Sequence, residues 1–225
     1  MPRRPRRATG GCLFHALNRG VRRNLIFETD GDYRDFESIL ITAKRNLDMR
    51  LLAYCLMPNH WHLVLWPTDT SHLSRFMHWL TVTHTQRWHA FHGTGGTGPL
   101  YQGRYKAFPV QSDSHFLTVC RYVERNPVRA QLVESAQDWP WSSAARHGKS
   151  RELDWLDTWP IPRPMDWSSV VNQTDSVTEL RDVRMAVQRG APFGEARWVH
   201  ATTGKLDLQR TLRARGRPKK TPDPF

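Results

Sequence analysis

Only two residues, Pro58 and Asn59, separate two runs rich in strand-forming residues, Leu51–Met57 and His60–Trp66. Runs joined by so short a link fold back as a tight antiparallel hairpin, which commits the middle of the chain to a sheet. The flanks follow a different period. Residues 31–47 set Phe36, Ile39, Leu40, Ala43 and Leu47 on one helical face, and residues 72–90 align Leu73, Phe76, Met77 and Leu80. Leu13–Leu17 reads as a first strand, turned by Asn18-Arg19-Gly20, and Arg104–Val110 as a fourth. A third helix is expected over 113–125, capped by Ser112 and burying Phe116, Val119, Cys120 and Val123. Asn126-Pro127 should end or kink it. The order β-α-β-β-α-β-α predicts an α+β fold, a ferredoxin-like split βαβ antiparallel sheet with helices on one face. The other face would be free to meet a ligand.

The remaining segments divide by composition. Residues 1–10 form a basic arm, 11–135 the main folded body, 136–175 a Trp/Pro-rich connecting segment, 176–204 a helical extension and 205–225 a basic tail. Trp139, Trp155, Trp159 and Trp167 are expected to pin the connecting segment to the body. The glycine-rich stretch His92–Gly98 is a loop. No Gly-Lys-Ser/Thr follows it, which sets aside a nucleotide phosphate loop.

The net charge of +12 sits at the ends: residues 1–25 carry seven arginines and no acid, and 205–225 carry seven basic and two acidic residues. Between them basic and acidic residues balance at 19 each. Two basic ends around a neutral body point to a polyanion, nucleic acid before anionic lipid, because neither end shows an amphipathic apolar face. No run approaches the roughly 18 apolar residues of a membrane span, and the N-terminus lacks the apolar segment of a secretory signal. Cys12, Cys55 and Cys120 are too few and too scattered for a disulfide scaffold or a Cys-x-x-Cys site. The expectation is a cytoplasmic, nucleoid-associated protein with no membrane partner.

The sharpest local feature is Met57-Pro-Asn-His60-Trp-His62-Leu-Val-Leu65. Alternate side chains on a strand share a face, so His60 and His62 point together while Trp61, Leu63 and Leu65 enter the core. Two such imidazoles can approach one divalent metal; the plain alternative is a polar strand face turned to water. Tyr122 and Asn126 lie four apart on the third helix and hence on one side of it. Tyr122 sits beside the apolar stripe, where its hydroxyl can reach the sheet surface or simply pack. Asn126 would complete a His-His-amide set suited to Mg²⁺ or Mn²⁺, though the imidazoles also admit Zn²⁺. Metal, tyrosine and phosphodiester together point to transesterification through a covalent phosphotyrosine, with the bond energy conserved and no ATP needed.

His60-Trp-His62 resembles the histidine-hydrophobe-histidine motif of the HUH endonucleases. The chain is similar to the single-tyrosine transposases of the IS200/IS605 class, and most of all to their REP-associated relatives. The segments that carry this are Asn18-Arg-Gly20, Tyr54–Leu65, Gln102-Gly-Arg-Tyr-Lys-Ala-Phe108, Tyr122-Val-Glu-Arg-Asn-Pro-Val-Arg-Ala130, Trp139-Pro-Trp-Ser-Ser143 and Arg189-Gly-Ala-Pro-Phe-Gly194. They make 11–135 an HUH single-tyrosine catalytic domain. The resemblance implies that His60 and His62 bind the metal and that Tyr122 is the nucleophile, joined to the 5′ phosphate of cut single-stranded DNA. In the insertion-sequence members a glutamine four residues after the tyrosine is the third ligand; here Asn126 holds that place, as is common in REP-associated relatives. The implied substrate is a single-stranded imperfect palindrome folded as a hairpin, with a short guide sequence at its foot. The insertion-sequence enzymes are dimers, whereas a REP-associated member can act as a monomer, and the long segment after Pro127 fits the latter.

Several basic residues gain roles in this frame. Arg104 and Lys106, on one strand face, would hold phosphates, and Arg19 would face DNA from the end of its strand. Arg125 and Arg129 are further phosphate candidates at the end of the nucleophile helix. Arg215-Gly-Arg217-Pro resembles an AT-hook core, whose arginines enter a narrow A·T-rich minor groove. His15 could approach the metal side of the sheet or serve only the structure, and is left outside the ligand set. Two rival readings remain: a regulator that binds palindromic DNA without cutting, and a metal-dependent nuclease that uses water.

Overall fold

In a computed structural model, residues 11–69, 72–147 and 155–213 are described. The expected hairpin is formed by β2 (Met49–Met57) and β3 (His60–Pro67), with β1 (Leu13–Arg19) and β4 (Lys106–Val110) completing the sheet. The strand order is β2-β3-β1-β4, and every neighbouring pair is antiparallel. That is the split βαβ order expected from the sequence, in which each crossover helix returns the chain past an intervening strand. The hairpin turn also organises the segment after β1. The Pro58 carbonyl accepts from the Ile26 and Phe27 amides, and the Asn59 carbonyl from the Gly20 amide. Gly20 has no room for a side chain: a Cβ there would lie 2.3 Å from the Asn24 carbonyl oxygen.

The crossover helices are α1 (Asp30–Asn46) and α2 (His72–Phe91). Thr29 starts α1 with a capping box: its hydroxyl accepts from the Asp32 amide, and the Asp32 carboxyl accepts from the Thr29 amide at 2.8 Å. Phe36, Ile39, Leu40, Phe76, Met77 and Leu80 from the two helices pack on Trp61, Leu63 and Leu65 in one buried cluster. This is the helix-covered face of the sheet. Trp61 donates its indole N–H to the Tyr101 hydroxyl at 3.0 Å, so the largest side chain of that core is satisfied as well as buried.

Helix α3 (Ser114–Glu124) lies across part of the second face, where Phe116, Val119, Cys120 and Val123 meet Val64, Phe108 and Val110. That face is therefore open only beyond the helix, and Tyr122 stands at the boundary. Asp113 caps α3, its carboxyl accepting from the His115 amide at 2.9 Å, in place of the expected Ser112. The helix stops at Glu124 as Pro127 requires, and the short α4 (Asn126–Arg129) continues with the proline in its first turn.

After α4 the chain runs along the outer edge of β2. The Leu56 amide donates to the Trp141 carbonyl, and the Asp157 amide to the Leu51 carbonyl. The indoles of Trp139 and Trp159 donate to the Leu56 and Leu52 carbonyls, both at 2.8 Å, and the Tyr54 amide donates to the Ser143 hydroxyl. Helices α5 (Trp167–Asn172), α6 (Val177–Arg189) and α7 (Ala196–Leu206) follow. Between α6 and α7, Phe193 pairs with β4, donating to the Pro109 carbonyl and accepting from the Gln111 amide. The basic arm 1–10 and both arginines of the AT-hook-like core, Arg215 and Arg217, lie outside the described residues.

Candidate active site

β1 extends through Asn18 and Arg19, which the sequence had placed in a turn, and the extra length sets Arg19 directly opposite His60. Leu17 lies opposite His62 and also opposite Lys106 of β4, so Arg19, His60, His62 and Lys106 share one face. Arg104 precedes β4 and is not on its face, but it joins Arg19 and Lys106 in lining a single cleft of about 320 Å³. The three cations reach one groove from two strands and a bend.

The imidazoles of His60 and His62 sit edge to face, with ring centres 5.0 Å apart. Each uses its Nδ1 for an internal contact: His60 with Asn59 Oδ1 at 2.6 Å and His62 with His15 Nε2 at 2.8 Å. In both rings Nε2 is then the nitrogen left for a metal, the pattern by which outer partners fix a ligand's tautomer. Tyr122 presents its ring edge-on to His62 at 5.8 Å and to His15 at 6.0 Å. Its hydroxyl has no hydrogen-bond partner among the described residues. Asn126 carries a buried Nδ2 that also finds no partner there. Nδ2 is a hydrogen-bond donor, so this unsatisfied group one turn past Tyr122 fits a place held for an acceptor such as a phosphate or water oxygen, whereas a cation would take Oδ1. Among the described residues no three His, Cys, Asp or Glu side chains cluster to hold a metal. The two imidazoles, whose Nε2 atoms are not used by the contacts made at Nδ1, are donors of a kind a divalent cation takes.

Electrostatics favour the neutral imidazoles a metal needs. Burial pushes His15 down to about 3, and burial with the nearby Arg19 and Arg129 charges pushes His60 to about 4. His62 is driven well below its ordinary value, first by burial. His84, buried against Tyr101 on the far side of the sheet, falls to about 3. The unfolded chain takes up protons on these rings near pH 6.5, whereas the folded chain resists until far lower. Metal-free stability is therefore expected to be flat above about pH 6.5 and to fall on acidification toward pH 4. Each ring contributes up to about 1.4 kcal/mol per pH unit. Urea midpoints at pH 7 and pH 5 in a chelator check this; equal midpoints would refute it.

Arg125 and Arg129 are placed differently from the phosphate contacts expected of them. Arg125 donates to the Val171 and Asn172 carbonyls and to Asp175, and Arg129 also reaches Asp175 at 3.3 Å. Arg129 further donates to the Tyr122 carbonyl at 2.5 Å and stacks over the Tyr122 ring at 4.3 Å. It braces the tyrosine. The residues that sequence reading missed, His15 as the partner of His62, Asn59 as the partner of His60 and Arg129 over Tyr122, all depend on contacts between separate elements. The strand alternation that pairs His60 with His62 also puts His15 on their face once the register is known.

A four-stranded antiparallel sheet carrying paired histidines beside a helix-borne tyrosine is the arrangement of the HUH fold. The IS200-like transposase family matches residues 8–126, over half of the chain and inclusive of His60, His62, Tyr122 and Asn126, and the chain belongs to that family. It is an enzyme of the transposase class. It is 24% identical over 137 residues to the REP-associated tyrosine transposase of Escherichia coli, covering 61% of this chain and 78% of that protein. The fold matches the solved structure of a REP-associated tyrosine transposase bound to a REP hairpin, with a TM-score of 0.53, 20% identity and coverage of 72% of this chain and 94% of that one. Among the described residues no helix is long and apolar enough to cross a membrane.

Proposed function

We propose that the chain cuts and rejoins single-stranded DNA at REP-like palindromes folded as hairpins, with Tyr122 as nucleophile. The observation that carries this reading is the Tyr122 ring standing 5.8 Å from His62, on the sheet face that also bears His60 and Arg19. The family match and the REP-hairpin complex of the solved relative support the same substrate class.

In this reading the Tyr122 oxygen attacks the scissile phosphorus and loses its proton. The bond to the 3′ oxygen breaks, that oxygen takes up a proton, and a 5′-phosphotyrosine remains. The reverse attack by a 3′-hydroxyl restores the phosphodiester and frees the tyrosine. His60, His62 and Asn126 would hold Mg²⁺ or Mn²⁺, which supplies polarisation of the phosphate and charge neutralisation. Arg129 fixes the ring of the nucleophile, and the cleft of Arg19, Arg104 and Lys106 receives backbone phosphates. The tail arginines Arg215 and Arg217 would add a weak grip on the hairpin stem. The chain would act in the cytoplasm, on the nucleoid, as a monomer or a homodimer, the monomer being favoured.

A denaturing gel of the protein with labelled hairpin DNA, carrying the palindrome and the sequence at its foot, tests this. A band of protein-plus-DNA mass is expected in Mg²⁺ or Mn²⁺ and not in EDTA. Cut DNA without that band would instead indicate water as the nucleophile, and binding without cutting a DNA-binding regulator. The cleft carries its own prediction. Arg104→Ala and Lys106→Ala should each weaken hairpin binding across sequences and lower the salt slope of log K by about 1. Affinities measured from 50 to 200 mM salt read this out, and an unchanged slope would remove the residue from the phosphate contacts.

A further inference from the structure

We infer that His15 is a positioning residue for the metal site: it is the acceptor that lets His62 offer Nε2 to a divalent cation. The inference rests on the metal-site reading above and extends it to a side chain outside the ligand set. His15 and His62 occupy neighbouring strands, diagonal to each other, since Leu17 is opposite His62 and Val64 opposite His15. Their rings stack with centres 5.0 Å apart and planes within 20°, and His15 Nε2 lies 2.8 Å from His62 Nδ1. The edge of Phe108, at 4.9 Å, holds His15 from the other side.

The argument is one of proton placement. A metal bound at His62 Nε2 takes that nitrogen's lone pair, so the ring's single proton must sit on Nδ1. His62 is only 3% exposed, which leaves no bulk water to receive that N–H, and a buried unpaired donor is costly. The His15 Nε2 lone pair is the partner the structure provides. The pair then holds two protons, one in the His62–His15 hydrogen bond and one on His15 Nδ1. His15 Nδ1 is buried and has no hydrogen-bond partner. That His15 N–H is the one donor this arrangement leaves unpaired; without the His15 acceptor the His62 N–H would be a second. His15 also abuts the Tyr122 ring at 6.0 Å, so one side chain orients both the metal ligand and the nucleophile.

The test is Mn²⁺ binding alone, followed by electron paramagnetic resonance, on the full chain and on His15→Phe, His15→Gln and His62→Ala. Phenylalanine keeps the ring's bulk and removes the acceptor, whereas the glutamine carboxamide oxygen can still accept. His15→Phe is expected to bind Mn²⁺ about 10- to 100-fold more weakly. His15→Gln should stay much closer to the native protein. In the adduct assay His15→Phe should need more Mn²⁺ for half-maximal rate and recover at saturation. Urea unfolding of each variant confirms that the fold is kept. Native Mn²⁺ affinity in His15→Phe, with binding lost in His62→Ala, would overturn the role of His15 and leave the metal site standing. Equal weakening by phenylalanine and glutamine would overturn the acceptor role in the same way. Native affinity in His62→Ala would mean that the metal-site reading itself has failed, and this inference with it.

Discussion

Tyr122→Phe is expected to bind hairpin DNA as the native chain does and to form no covalent adduct, a loss on the order of 10³-fold or more in strand cleavage. The substitution is conservative everywhere except at the reacting atom. Among the described residues the Tyr122 hydroxyl has no hydrogen bond to lose, and the ring that stacks under Arg129 and abuts His15 and His62 is retained. A fall in DNA affinity is therefore not expected, and the defect should appear in chemistry alone. The measurement is the labelled-hairpin gel in Mn²⁺, run beside a binding titration in EDTA. An adduct that persists in Tyr122→Phe would place the nucleophile elsewhere.

The second large effect concerns stability. Glu124, two residues beyond Tyr122, has no exposed surface. Its carboxyl accepts from the Ser143 hydroxyl at 2.5 Å, from His147 Nε2 at 2.8 Å and from the Trp167 indole at 2.7 Å. One side chain thus ties α3 to the β2-edge segment and to α5. Glu124→Ala leaves three donors without their acceptor and opens a cavity, and should cost about 3–5 kcal/mol of unfolding free energy. Urea denaturation followed by tryptophan fluorescence measures it. A loss below about 1 kcal/mol would show that the donors find other partners. Glu124→Gln retains size and one acceptor oxygen and should fall between the two.

The sheet and its crossover helices were legible because their signals are local. The Pro58-Asn59 link, the alternation around Trp61 and the helical spacing of Phe36, Ile39 and Leu40 each need only neighbouring residues. The boundaries were less so: Asn18 and Arg19 extend β1 because pairing with β3 continues past the expected turn. Asp113 and Ser112 are both competent caps, and backbone geometry decides between them. The roles of Arg125 and Arg129 were hidden for a different reason. Their partner, Asp175, lies about fifty residues away in a segment whose packing carries no periodic signal. Histidine spacing exposed His60 and His62 together, whereas His15 acquires meaning only through strand register.

The tryptophan-bearing segment along β2 has a consequence for how these molecules behave in numbers. An exposed edge strand is a template on which another chain can lay its own backbone. Here the outward amides and carbonyls from Leu51 to Leu56 are already taken by Ser143, Trp139, Trp141, Asp157 and Trp159. At the opposite rim Phe193 occupies the Pro109 carbonyl, and Pro109 has no N–H to offer. Among the described residues the β2 edge is consequently closed to a neighbour's strand from Leu51 to Leu56. Molecules crowded together can thus lie side by side without joining through that edge.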